Sequence, residues 1–397
     1  MSKIVDFQTD CVIVIGDFVF WGLTAVMILT ALRKVTIRLK AEPFFLITLA
    51  ATVLLSLISR PQVSSIKWNV IAVLFAQMLV CGAFEDCHLL RSLAQWLLGV
   101  FKTPKKLAFA MVLLTGLLSM FITNDVALLT VVPVTLSVAK ITGKGPHILV
   151  VLETIAANLF SAVTPFGNPQ NLYLFSHYNM PSSDFFSAML PFGLIGLVLL
   201  VIAVAALSRG ETYKTAQVRF EICNKPLLTG ALAAFAVNIL AVLRVIDYRL
   251  ALLVSVLLFL ALAPRLFKSV DYVLLLTFVL FFLFTDALTS IPAVRAFFSG
   301  LLASEHKVFF SSAALSQVIS NVPAAVVLAG FTPHYKALLY GVSAGGLGTL
   351  IASLASLISY KLYSRAFADE KGKFMRWFLL LNLAFLAVLL PVLATLL

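Results

Sequence analysis

Charge is what this chain has least of. Lys, Arg, Asp and Glu make up 12% of its 397 residues, about half the share of an ordinary soluble protein. Hydrophobic residues make up 61%, and the mean hydropathy is +1.06. No water-soluble fold has enough interior for that much apolar surface, so a soluble domain is excluded. Cysteine is scarce as well: Cys11, Cys81, Cys87 and Cys223 show no CxxC spacing, and three of the four lie in or beside apolar runs. A disulfide framework and a thiolate metal site are thereby excluded, and these residues read as small buried hydrophobes. The histidines, His88, His147, His177, His306 and His334, fall in loops or helix ends without ligand spacing, so no metal site is expected. HExxH, GxSxG and P-loop patterns are missing, so no motif supports an enzyme or an ATP-driven pump. The first apolar run lacks a small-residue cleavage site, and it is expected to be retained as a helix.

What is present is a succession of apolar runs. A hydrocarbon core of about 30 Å needs about 20 residues of helix, and runs suited to that lie at about 11–31, 43–59, 68–84, 185–207, 226–243, 249–263, 270–289 and 374–396. Four further segments, 105–139, 147–176, 308–332 and 335–363, are apolar but broken by Pro, Gly, Asn, Thr and Ser. We read the first and third as re-entrant hairpins and the other two as broken helices. The fold class expected is therefore an all-α polytopic membrane protein with about ten transmembrane helices, two re-entrant hairpins and an inverted-topology repeat. The 33 Phe residues serve as packing and lipid-facing surface.

The net charge of +12 reflects topology rather than nucleic-acid binding, because the basic residues sit in the short loops between runs. With the two hairpins returning to the side they entered, 21 of the 29 Lys and Arg residues collect on one side. That side is assigned to the cytoplasm, which leaves both termini outside a bacterial inner membrane. The stretch 85–106 spaces its polar residues as an amphipathic interfacial helix would. The expected organisation is scaffold helices over 1–66, a first repeat over 67–207 with hairpin 105–139 and broken helix 147–176, and a polar cytoplasmic linker over 208–225. A second repeat over 226–373 carries hairpin 308–332 and broken helix 335–363, and 374–397 is a final transmembrane helix.

The two repeats carry matching motifs. FITNDVALLTVVP (121–133) is followed by NLFSAVTPFGNPQNLYLF (158–175), and VISNVPAAVVLAGF (318–331) by GVSAGGLGTLIASLASLISY (341–360). A helix that stops in mid-membrane exposes amides or carbonyls that must face protein, water or a bound ion. Carbonyls and the oxygens of Thr123, Asn124, Asp125, Ser320 and Asn321 can coordinate a cation, while half-helix N-termini can hold an anion. Gly167, Gly345, Gly346 and Gly348 permit close backbone approach, and Pro165, Pro169 and Pro323 stop helices at defined points.

These motifs, TND and SNVP at the tips with TPFGNPQNL and GGLGTLIASLASLI after them, resemble the ion transporter superfamily over about 67–363. It includes divalent anion:sodium symporters, citrate transporters, arsenite permeases and some sodium/proton antiporters. The tips differ from the Ser-Asn-Thr of the divalent-anion symporters, and the Asn-Asp pair looks closer to the arsenite-permease branch. The resemblance implies scaffold and transport regions, a homodimer and an elevator-like movement. It also implies that cation and substrate are bound by Thr123, Asn124, Asp125, Thr164, Gly167, Asn168, Asn171, Ser320, Asn321, Ser343, Gly346 and Thr349.

Two acids have two readings each. Asp125 is either a functional acid in the membrane or a cap of the return helix, and the two roles are compatible. Glu153 is either a desolvated proton carrier or a residue of the cytoplasmic interface. Asp17 and Asp286 fall near outer helix ends, where solvation or a scaffold contact is expected. The function expected is secondary transport of a small inorganic or carboxylate anion coupled to Na+ or H+, with no other cofactor. The alternative is a Na+/H+ antiporter without an organic substrate. A passive channel or an intramembrane enzyme leaves the paired hairpins unexplained.

Overall fold

The computed structural model describes residues 43–101, 103–142, 145–207 and 224–397. The apolar run 11–31 with Asp17 and Cys11, and nearly all of the 208–225 linker with Cys223, lie outside the described residues. Every regular element among the described residues is helical. In chain order these are α1 (Pro43–Ser56), α2 (Trp68–Asp86), α3 (Leu89–Val100), α4 (Pro104–Ile122), α5 (Asn124–Thr142), α6 (His147–Ser161), α7 (Pro169–His177) and α8 (Ser182–Leu207). They continue with α9 (Lys225–Val242), α10 (Tyr248–Leu262), α11 (Tyr272–Thr289), α12 (Pro292–Leu301), α13 (Glu305–Ile319), α14 (Asn321–Ala329), α15 (Tyr335–Gly345), α16 (Leu354–Ala366) and α17 (Lys371–Ala394).

Among the described residues, six helical stretches, including α2, α8, α9 and α11, are long and apolar enough to cross a membrane, and α1, α6 and α10 contain shorter apolar ones. This is a polytopic membrane protein.

The chain divides into two units. One comprises the described residues up to Cys87 together with Asn224–Arg295. Within it α1 lies on α11, and α2 packs against α9, α10 and α11. Three of its helices start at a side-chain cap: Asn224, Asp247 and Asp271 accept hydrogen bonds from the amides of Leu227, Arg249 and Leu274. The buried amides of Asn238 and Gln77 meet at 2.6 Å inside an otherwise apolar pack, as an interior polar group must. Asp286 makes a contact within this unit, accepting from the Gln62 amide at 2.7 Å.

The other unit comprises His88–Cys223 and Ala296–Leu397. Here one arrangement occurs twice. The arms α4 and α5 meet at a tip, α4 packs on α6, and α6 is separated from α7 by a break at 162–168. Likewise α13 and α14 meet at a tip, α13 packs on α15, and a break at 346–353 separates α15 from α16. The return arms then cross over: α5 packs on α16, and α14 packs on α7. Each return arm therefore rests on the half-helix that follows the other set's break.

Two expectations are corrected. The stretch 85–106 is not one amphipathic helix: His88 takes a left-handed backbone (φ 58°), so Glu85 and Asp86 end α2, while Lys105 and Lys106 belong to the first turn of α4. Only α3 is amphipathic between them. Arg295, assigned to a loop, lies in α12, a short helix ahead of the second hairpin as α3 is ahead of the first.

Candidate functional site

The two tips are built alike to an unusual degree. Thr123 ends α4 with φ 79° and ψ 146°, and Ser320 ends α13 with φ 74° and ψ 154°. This region is almost reserved for glycine, and occupying it with a side chain costs about 1–3 kcal/mol. The next residue at each tip is Asn, and its backbone amide crosses to a carbonyl in its own set's break: Asn124 N–H to Gly167 at 3.2 Å, Asn321 N–H to Ala352 at 2.9 Å.

A second tie follows the same register. The Thr164 hydroxyl donates to the Met120 carbonyl at 2.5 Å, and the Thr349 hydroxyl donates to the Gln317 carbonyl at 3.1 Å. Both acceptors lie three residues before their tip. The unwound segments are thus held to the hairpins by backbone groups that the helix ends leave unpaired.

Within the first break, Asn168 caps α7 by accepting from the Asn171 amide at 2.9 Å. Asn171 donates to the carbonyls of Ala162 and Thr164, at 2.8 and 3.4 Å. A Cβ on Gly167 would collide with the Ser161 carbonyl and press on Thr164 Oγ1 and the Ser119 carbonyl; only glycine fits. In the second break Gly348 takes φ +108° against the Gln317 side chain, and Gly346 lies beside Asn321 Nδ2. Ser343 is buried, with no hydrogen-bond partner for its hydroxyl.

The structure also brings forward residues that were not among the expected binding residues. Asn158, 5% exposed in α6, accepts from Asn124 Nδ2 at 3.1 Å and from the Ser353 hydroxyl at 3.0 Å, and its own amide reaches Ser356 Oγ at 3.4 Å. One side chain thereby joins the first tip to the far side of the second break. One turn earlier, Thr154 bonds Ser359 at 2.8 Å. Gln317 donates to the carbonyls of Gly345 and Leu347 at 2.8 and 2.9 Å and accepts from the Thr349 amide at 2.9 Å, so it shapes the second break. The spacing of Ser353, Ser356 and Ser359, one per helical turn, was the available signal for the α16 contacts.

Asp125 lies partly buried in the first turn of α5, where its charge complements the helix dipole. Beside it, Asn124 Oδ1 accepts from the Asp125 backbone amide at 3.0 Å. Glu153 is 0% exposed and so is shut off from bulk solvent by the surrounding helices. Its Oε1 accepts from Thr135 at 2.6 Å, and Oε2 has no hydrogen-bond partner among the described residues.

Apolar spans, paired tips and paired breaks place this chain among membrane proteins built on discontinuous helices. A family model described as a citrate transporter matches residues 26–334. The chain is 33% identical over 315 residues to the uncharacterized transporter MJ0456 of Methanocaldococcus jannaschii, covering 78% of this chain and 85% of that protein. It is 32% identical over 302 residues to the inner membrane protein YbiR of Escherichia coli, covering 75% and 81%. Its fold is similar to the crystal structure of the Alcanivorax borkumensis YdaH transporter, with a TM-score of 0.56 at 14% identity over 89% of this chain and 96% of that one. The chain belongs to the citrate transporter family, within the ion transporter superfamily.

Proposed function

We propose that this transporter carries a small anion or oxyanion by alternating access, coupled to Na+ or H+, and that its two tips divide the labour. The observation that carries the reading is their contrast in free polar groups. At the first tip the Asn124 and Asn158 amides are engaged with one another and with Ser353, and an acid, Asp125, stands in the first turn. At the second tip no acid occupies the first turn of α14, and its N-cap residue Ser320 makes no side-chain cap. In the register set by Thr164 and Thr349, Ser343 stands where Asn158 stands in the first set; the shorter side chain leaves its hydroxyl unpaired.

An uncapped helix start, a buried hydroxyl and the Asn321 side-chain amide in the same set favour an anion. A carboxylate in the membrane favours a cation or proton. In this reading Ser320, Asn321, Ser343, Gly346 and Thr349 receive the anion. Thr123, Asn124 and Asp125 receive the coupling ion; Thr164, Gly167, Asn168 and Asn171 hold the first seat, and Glu153 is the proton carrier if the coupling ion is H+. The loop-charge bias supports a bacterial inner membrane with both termini outside, and the superfamily resemblance supports a homodimer.

The test is a thermal-shift screen of the purified protein against sodium, pH, dicarboxylates, citrate, arsenite and other oxyanions, followed by uptake into proteoliposomes. Stabilisation by one anion, enhanced by sodium or acid, is expected, with transport lost in Asp125→Asn and Asn321→Ala at wild-type expression. Full activity in both variants overturns the site assignment. A response to sodium and pH alone replaces the anion reading with cation/proton antiport.

A further inference from the structure

A groove of ≈ 750 Å³ runs along the outside of the second unit, between the end of α3, the first four turns of α4 and the end of α8. Its wall is apolar: Phe101, Phe109, Leu113 and Leu117 face Val201 across it. Among the described residues, the charged ones lining it are Lys105 and Lys106, both exposed, in the first turn of α4. We infer that this groove holds one acyl chain of an anionic phospholipid, with the headgroup phosphate between the two lysines at the cytoplasmic interface.

Three features select that occupant. The first is length: the twelve residue steps from Lys105 to Leu117 rise about 18 Å along the helix, close to the roughly 15 Å of one hydrocarbon leaflet. A chain anchored at the lysines therefore ends near the bilayer midplane. The second is the distribution of polarity. Positions 105, 106, 109, 113 and 117 form one stripe of α4, charged at one end and apolar along the rest, which matches a lipid with its head at one end. The third is charge: the lysines lie on the side to which the loop-charge bias assigns the cytoplasm, where headgroups are anionic. The α4 start adds to this, since its N-cap Thr103 makes no side-chain cap and leaves the first-turn amides available to a phosphate oxygen. The binding tips are not involved, because Thr123 stands at the opposite end of α4.

The experiment is photo-crosslinking of the full chain in mixed nanodiscs, using phosphatidylglycerol with a diazirine near the end of one acyl chain, read by peptide mass spectrometry. Labelling is expected around Leu113, Leu117 and Val201, displaced by unlabelled phosphatidylglycerol and not by phosphatidylcholine. Lys105→Gln with Lys106→Gln should reduce that headgroup preference by about tenfold or more. Val201→Trp, at a side chain that is 40% exposed, should fill the groove and remove labelling while the lysines remain. Equal displacement by both lipids, or labelling unchanged in Val201→Trp, overturns the inference. Crosslinks from a probe at Leu113 to residues 1–42 or to a second copy also overturn it, since the groove would then be covered by protein.

Discussion

Truncating Asn158 to Ala should destabilise the second unit and stop transport, and the structure sets the size of the effect. The side chain makes hydrogen bonds of 3.1, 3.0 and 3.4 Å to Asn124, Ser353 and Ser356. The longest is weak, so two count in full. Interhelical hydrogen bonds inside membrane proteins average about 0.6 kcal/mol each, which gives about 1.2 kcal/mol. The serines can turn to other acceptors, but the Asn124 amide cannot turn without losing its Oδ1 bond to the Asp125 N–H. Leaving that donor unpaired adds about 1 kcal/mol, for a total of about 2 kcal/mol. The assay is reversible unfolding in mild detergent of the single variants Asn158→Ala and Ser353→Ala and of the double variant, with uptake measured in parallel. A coupling of about 0.6 kcal/mol between the two sites is expected. A loss below about 0.5 kcal/mol in Asn158→Ala, with normal uptake, would refute Asn158 as the link between tip and break.

Three further outcomes are expected. Gly167→Ala should abolish uptake, because the added methyl meets the Ser161 carbonyl, whereas Gly372→Ala, with open space around it, should leave uptake at the wild-type rate. Gln317→Leu removes the bonds to Gly345, Leu347 and Thr349 and should weaken apparent substrate affinity at least tenfold; Gln317→Glu, which keeps only the acceptor for the Thr349 amide, should fall between. Glu153→Gln keeps a carbonyl oxygen for Thr135. If Glu153 carries the coupling proton, this variant should lose proton-driven accumulation but retain anion exchange, and proton-driven accumulation at the wild-type rate would remove Glu153 from the coupling path.

Much of the fold was legible because lipid imposes simple rules. Six of the apolar runs correspond to α1, α2, α8, α9, α10 and α11 within a few residues, and the last to α17. The broken segments announced themselves through Gly167, Pro169 and Gly348, which only special backbone paths require. What escaped was either too short or too distant. α12 has ten residues and one apolar face, below any membrane-span window. The end of α2 depended on the backbone at His88, which no local pattern specified. The contacts of Asn158 escaped because its partners Ser353 and Ser356 lie 195 and 198 residues away. Gln317 was hidden for the same reason: its role comes from the path of a loop that follows a later helix.

The strained tips have a mechanical consequence. A hairpin that hinged at its tip would place glycine there, since glycine moves freely through the backbone region that Thr123 and Ser320 occupy. A side chain confined to that region has few neighbouring conformations to visit. Each tip is further bolted to its seat by an amide from the following Asn and a hydroxyl from the break. Tip and seat therefore have no separate degree of freedom, and each behaves as a machined part rather than a flap.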